Sequence, residues 1–242
     1  MSYQAIFKRY ELKYLLTKEQ QNNVLKAMEP YMELDKYGRT TIRNLYFDTD
    51  DYRLIRHSIE KPAYKEKLRI RSYKKAELNT PVFVELKKKY KHVVYKRRIA
   101  LSEKEAIEWL CSGKHCQART QISEEIDYFL HYYGNLHPTV FLSYERVAYY
   151  ARDGSDFRVT FDDHILCRQS DLCLESDVNG REILSEDLTL MEIKCSGGIP
   201  LWMTSILSEE QIYKTSFSKY GTAYQTLLYP KLKEEFTNGN FI

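Results

Sequence analysis

The chain has 242 residues, with 37 Lys and Arg against 34 Asp and Glu, and a formal net charge of +3. So even a balance does not by itself announce a nucleic-acid or membrane-surface partner, and no apolar run approaches the ~20 residues of a membrane-spanning helix. Five scattered cysteines without Cys-x-x-Cys spacing, and six histidines without a metal-spaced pair, leave no zinc-type ligand set and point away from thiolate or histidine-triad chemistry.

The length suits one β-rich domain over 1–242, with a core at about 7–229 and a frayed tail over 237–242. The first residues lack the basic and apolar regions of a signal peptide, so a cytoplasmic location is expected.

The first strand is expected from Phe7 to Leu16, with Arg9, Glu11 and Lys13 on one face. Thr17 and Gln20 form a capping box for a helix running toward Met28, and Pro30 stops it. Thr41 to Asp48 reads as a second strand, closed by the turn-prone Asp48-Thr49-Asp50-Asp51. In Lys65-Glu66-Lys67-Leu68-Arg69-Ile70-Arg71, four cations alternate with Glu66, Leu68 and Ile70, a period of two that marks a strand. Val82 to Lys88 and His92 to Leu101 continue the pattern.

Ser102 and Glu105 cap a helix through Leu110 that Gly113 ends, and Ser123 begins another with Ile126, Phe129, Leu130 and Tyr133 on one stripe. Three more strands follow, at Thr139 to Ala151, Asp156 to Leu166 and Leu188 to Cys195. The last part is helical, with Tyr220, Ala223, Tyr224, Leu227 and Leu228 on one face before Pro230.

Three strands far apart in sequence carry one device: Glu11-Leu12-Lys13, Glu85-Leu86-Lys87 and Glu192-Ile193-Lys194. Acid and base share one face while apolar residues hold the other. A half-exposed antiparallel sheet alternates in the same way. Here, however, the polar faces hold almost only Lys, Arg and Glu, and the apolar helix stripes need the apolar strand faces to pack on. The fold class expected is therefore α+β: a closed antiparallel β-barrel of about eight strands forming a charged tunnel, with helices packed on the outside.

The expected lining sets Lys13, Lys67, Arg69, Arg71, Lys87, Lys96, Arg98, Arg146, Arg158 and Lys194 against Glu11, Glu85, Asp162 and Glu192. Four acids cannot hold that many cations in a low-dielectric cavity, so a polyanion is the missing partner. Phosphate chains fit, since Arg forks and Lys point charges both bind phosphate oxygens. The acids then suit Mg²⁺ or Mn²⁺, bridging carboxylate and phosphate oxygens.

In this order, Arg9-Tyr10-Glu11-Leu12-Lys13-Tyr14, Leu45-Tyr46-Phe47-Asp48, Lys67-Leu68-Arg69-Ile70-Arg71, Val84-Glu85-Leu86-Lys87, Tyr144-Glu145-Arg146, Arg158-Val159-Thr160-Phe161-Asp162, Glu192-Ile193-Lys194 and Ser218-Lys219-Tyr220 resemble the triphosphate tunnel metalloenzymes. Within that CYTH-like superfamily, the closer resemblance is to the VTC domain, a polyphosphate polymerase module. The resemblance implies phosphate contacts from Lys13, Arg69, Arg71, Lys87, Lys96, Arg146, Arg158, Lys194 and Lys219, with Ser218 beside the bound chain. It implies Glu192 as the main metal ligand, with Glu11 and Glu85 as further candidates.

Arg9 departs from the superfamily pattern, which has a Glu there. Hydrolysis needs a carboxylate to orient water, whereas a phosphate acceptor is already anionic, so the exchange favours the polymerase. Neither an SPX-like helical region nor a membrane segment is found, which suggests a stand-alone domain of bacterial type.

The expected activity is metal-dependent transfer of the γ-phosphoryl group of ATP to a growing inorganic polyphosphate chain. The partners are ATP or another nucleoside triphosphate and inorganic polyphosphate or pyrophosphate, with no nucleic acid. Two alternatives stand beside it: a tripolyphosphatase or nucleoside triphosphatase on the same fold, and a non-catalytic polyphosphate- or RNA-binding module that uses some of the 21 tyrosines.

Overall fold

The computed structural model describes residues 10–91 and 93–237, so Arg9 and His92 lie outside the described residues. In chain order the elements are β1 (Tyr10–Thr17), α1 (Lys18–Met28), β2 (Met32–Leu34), β3 (Thr40–Asp48), α2 (Arg53–Ile59), β4 (Tyr64–Ser72), β5 (Pro81–Tyr90) and β6 (Val93–Ser102). Then come α3 (Glu103–Ser112), α4 (Gln121–Tyr133), β7 (His137–Ala151), β8 (Arg158–Arg168), β9 (Arg181–Glu182), β10 (Leu188–Cys195), α5 (Leu201–Glu209), β11 (Lys214–Thr215) and α6 (Lys219–Ala223). A π-helical turn (Tyr224–Leu228) leads into α7 (Tyr229–Thr237). All eight expected strands are present, and the three added ones, β2, β9 and β11, are only two or three residues long.

The capping boxes at Thr17/Gln20 and Ser102/Glu105 are both formed. Helix α4 instead starts two residues before Ser123: Thr120 is its cap, and Ser123 is the reciprocal partner of the box. Tyr52, the residue before α2, supplies no side-chain cap, and Thr49 Oγ1 accepts from the Arg53 amide. The buried Asp48 carboxylate, several residues upstream, accepts from the amides of Leu54 and Ile55.

The strands form one antiparallel sheet in the order β11-β1-β10-β8-β7-β3-β4-β5-β6, with β2 added on β7 and β9 on β8. The expected closed barrel is not what forms. At one end β11 offers two residues, which pair only with β1, and at the other β6 pairs only with β5. No backbone ladder joins these ends among the described residues. The sheet nevertheless curls until side chains meet across its hollow: Lys87 on β5 places its Nζ 3.1 Å from Glu11 on β1.

Helices cover the convex side, where the apolar strand faces point. Ala106, Trp109 and Leu110 of α3 and Ile126 and Phe129 of α4 pack with Leu68, Ile70, Val82, Val84 and Leu86. Val24 and Met28 of α1 and Met203 and Leu207 of α5 pack with Val159, Phe161, Met191 and Ile193. Burying one such side chain contributes roughly 1.5–3 kcal/mol.

The expectation that all helices lie outside needs a correction. Tyr220, Ala223, Tyr224 and Leu228, from α6 and the π-helical turn, pack with Ile42, Tyr46, Val140, Leu142 and Tyr144 on the concave face. There Tyr220 stacks on Tyr46 at 4.7 Å and donates to Asp48. No helix among the described residues is long and apolar enough to cross a membrane.

Candidate functional site

Alternation in the strands delivers the charged residues to the concave face, where cross-strand register groups them around acids. The first group centres on β10. Glu192 lies opposite Lys13 of β1 and Thr160 of β8. Its Oε1 is 3.3 Å from Lys219 Nζ and 3.5 Å from Lys13 Nζ, and its Oε2 is 3.0 Å from Lys194 Nζ and 3.3 Å from Arg146 Nη2. Fully buried Asp162 accepts two guanidinium hydrogen bonds from Arg146, both at 2.6 Å, and a third contact from Lys219.

The second group centres on Glu85 of β5, which is 1% exposed. Arg69 donates to its Oε2 from Nε and Nη2 at 2.9 and 2.7 Å, while Lys96 Nζ sits 2.6 Å and Arg98 Nε 3.4 Å from its Oε1. Tyr46 and Asn44 on β3, with Tyr144 on β7, hold the remaining edges. Arg69 Nη1 donates to Tyr46 at 2.9 Å, Arg71 Nε to Asn44 at 3.0 Å, and Arg71 Nη2 to Tyr144 at 3.0 Å.

Between the groups stand Glu11, Lys13, Lys67 and Lys87. Lys13 Nζ is 3.6 Å from Glu11 and donates to the Phe217 carbonyl at 3.0 Å. Lys67 has no carboxylate partner among the described residues; it donates to Ser218 Oγ at 3.1 Å and lies over the Tyr220 ring. Arg158 stands apart from the acid groups, with its guanidinium on the Tyr150 ring and 3.5 Å from Asp35.

The field in this basin is strongly positive. Burial opposes ionisation of Glu192, yet Lys219, Lys194, Lys13 and Arg146 outweigh it and hold the carboxyl well below the usual range. Glu85 is held down in the same way by Arg69, Arg71 and Lys96. Burial, joined by Lys13, Lys87, Lys65 and Arg69, pushes Lys67 down to about 7. Burial also pushes Lys96 down to about 8, with Glu85 opposing it. Tyr73 shows the same field: Arg71 and Arg98 overcome burial and draw its phenol down to about 8.

Each predicted site residue thus faces the basin or its rim, and the structure adds what sequence patterns missed. Lys219, at the start of a short helix, is buried because Asp162 and Glu192 pair with it. Tyr46, Asn44 and Tyr144 orient the arginines, and only the register of β3 with its neighbours reveals that role.

No three His, Cys, Asp or Glu side chains among the described residues converge into a metal cage. Mg²⁺ or Mn²⁺ asks less, since such ions are commonly held by one or two carboxylates and completed by substrate phosphate oxygens and water. Glu192 and Glu11 fit that demand: they face the basin from adjacent strands, near enough that the Glu192 charge opposes ionisation of Glu11. Glu85, with Arg69 on one oxygen and Lys96 on the other, suits the orientation of those cations better.

The cations thus gather in the hollow of a curled antiparallel sheet that carries helices on its convex side. Two solved structures share the fold. A putative adenylate cyclase from Bacillus halodurans is 18% identical with a TM-score of 0.57, over 89% of this chain and 96% of that one. A putative adenylyl cyclase from Hippeastrum, described as having a dominant triphosphatase activity, is 16% identical with a TM-score of 0.55, over 91% and 96%. No curated protein matches the chain by sequence. The chain belongs to the VTC domain family, which matches it over residues 8–228.

Proposed function

We propose that this chain is a polyphosphate polymerase that transfers the γ-phosphoryl group of ATP or another nucleoside triphosphate to the end of an inorganic polyphosphate chain. A terminal oxygen of the chain attacks the γ-phosphorus, the bond to the β,γ-bridging oxygen breaks, and the nucleoside diphosphate leaves. The observation that carries this reading is the uncompensated charge of the basin, seen most directly at Lys67, whose ammonium is surrounded by cations and faces no carboxylate among the described residues. A polyanion supplies the missing charge, and membership of the VTC domain family supports polyphosphate as that polyanion.

In this reading Arg69, Arg71, Lys87, Lys96, Arg146, Arg158, Lys194 and Lys219 hold donor and acceptor in line, while Lys13, Lys67, Arg98 and Ser218 flank them. A divalent ion on Glu192, with Glu11, would neutralise charge developing on the phosphate oxygens. Protein groups contribute positioning and electrostatic stabilisation, which is most of what phosphoryl transfer requires.

Incubation with ATP and Mn²⁺ tests the proposal: long polyphosphate accumulates on a gel with little orthophosphate. The fold shared with the Hippeastrum protein favours a second reading, in which water replaces the phosphate acceptor. Orthophosphate without polymer would establish that hydrolase instead.

The Lys67 environment makes a separate prediction. An anion beside its ammonium raises a pKa that now lies near 7, so binding of inorganic tripolyphosphate at pH 8 takes up most of one proton at Lys67, to which Lys96, near 8, adds a fraction. Calorimetric titration in buffers of different ionisation enthalpy reads this uptake, and Lys67→Met removes most of it. Equal uptake by both proteins would place the anion elsewhere.

A further inference from the structure

The donors of the basin differ in what a ligand must displace to reach them. Arg146, Lys194, Lys219, Arg69 and Lys96 are already paired with Asp162, Glu192 or Glu85, so a phosphoryl oxygen competes with a carboxylate for each. Two donors on β8 are different. Thr160 Oγ1 and Arg158 Nε are both buried and have no hydrogen-bond partner among the described residues.

The register explains why the Thr160 hydroxyl is left without a partner. Thr160 lies on the basin face between Arg158 and Asp162, opposite Ala148 on one side and Glu192 on the other. The alanine offers no side-chain acceptor, and both Glu192 oxygens are already shared among four cations. The residue is 0% exposed, so bulk water does not compensate the hydroxyl. A buried hydroxyl without a partner costs free energy that an isosteric valine would not.

We propose that Thr160 Oγ1 and Arg158 Nε form a subsite for one phosphoryl group of the bound triphosphate or polyphosphate. Strand geometry sets the two residues roughly 7 Å apart along one face, a gap that a phosphoryl group hydrogen-bonded on both sides bridges. Both donors gain a charge-assisted bond: the Thr160 hydroxyl has no carboxylate to give up, and Arg158 can keep Asp35 on Nη2 while Nε turns to the ligand. The subsite rests on the triphosphate reading of the basin, and it adds Thr160 to the residues that contact the ligand.

The test is Thr160→Val in the full chain, which keeps the shape and removes the donor. Calorimetric titration with inorganic tripolyphosphate and Mg²⁺ should show affinity reduced roughly 10- to 100-fold, the range for losing a hydrogen bond to a charged group. The melting temperature of the free variant should equal or exceed that of the unsubstituted protein, because the hydroxyl has no partner to lose. Thr160→Ser should restore most of the affinity. Unchanged affinity in Thr160→Val, as expected if the hydroxyl meets only an ordered water, overturns the subsite. A lower melting temperature in the free variant overturns it too, by showing a structural bond. If the unsubstituted protein itself fails to bind tripolyphosphate, the triphosphate reading falls and takes the subsite with it.

Discussion

On the polymerase reading, replacing Arg69 with alanine lowers phosphoryl transfer from ATP by about 100-fold or more, the usual loss for one preorganised electrostatic group. Arg69 donates from Nε and Nη2 to Glu85 and from Nη1 to Tyr46, which fixes the plane of its guanidinium. Three of its five N–H donors are used in this way, leaving two for phosphate oxygens. Arg69→Lys recovers little, because an ammonium keeps the charge and loses the fork. Glu192→Ala falls to a similar degree, since it removes the carboxylate that positions Lys219, Lys13, Lys194 and Arg146. The measurement is turnover by polyphosphate formation, beside a melting curve for each variant. Near-normal turnover by both folded variants would remove Arg69 and Glu192 from the site.

Asp162→Asn, by contrast, acts first on stability. Asp162 is fully buried and makes the shortest contacts to both Arg146 and Lys219, so removing its charge leaves the two cations with Glu192 alone between them in a low-dielectric setting. Breaking a buried pair from one side costs about 3–5 kcal/mol. For a chain of this size that lowers the melting temperature by roughly 6–20 °C. A change of less than about 2 °C would mean that the Asp162 contacts are solvated and weak.

The pH dependence follows from the same carboxylates. Glu192 and Asp162 both have folded pKa values below their usual ones, so their contribution is complete above about pH 4 and is lost as the pH falls below it. In Asp162→Asn the acid-labile part is smaller, which thermal melts at pH 3 and pH 7 would register.

Local features of the fold were readable from sequence because their physics is local. Period-two charge marked the eight long strands, and reciprocal capping boxes marked α1 and α3. Helix α2 was not readable, because its cap is the Asp48 carboxylate and the residue before it, Tyr52, takes a left-handed backbone. Closure of the sheet was not readable either. Alternation says which face is polar, whereas closure depends on whether two strands at opposite ends of the sheet pair, and β11 is two residues long.

The candidate site shows the same division. The Glu-x-Lys units exposed Glu11, Glu85 and Glu192 with Lys13, Lys87 and Lys194, and alternating charge on β4 and β6 exposed Lys67, Arg69, Arg71, Lys96 and Arg98. Burial of Lys219 depends on Asp162, 57 positions away in the chain, so no nearby pattern could reveal it.

The open edges of the sheet, β11 and β6, share no backbone ladder among the described residues, and just behind them β1 and β5 touch through the side chains of Glu11 and Lys87. Such a seam can part without breaking any strand pairing, and its attraction weakens as mobile ions screen it. On the polymerase reading, a long product in the hollow can then slip out sideways, where a closed ring would require it to be drawn through end to end. Release time, on that reading, need not lengthen in step with the polymer, and raised ionic strength shortens the stay of long and short chains alike.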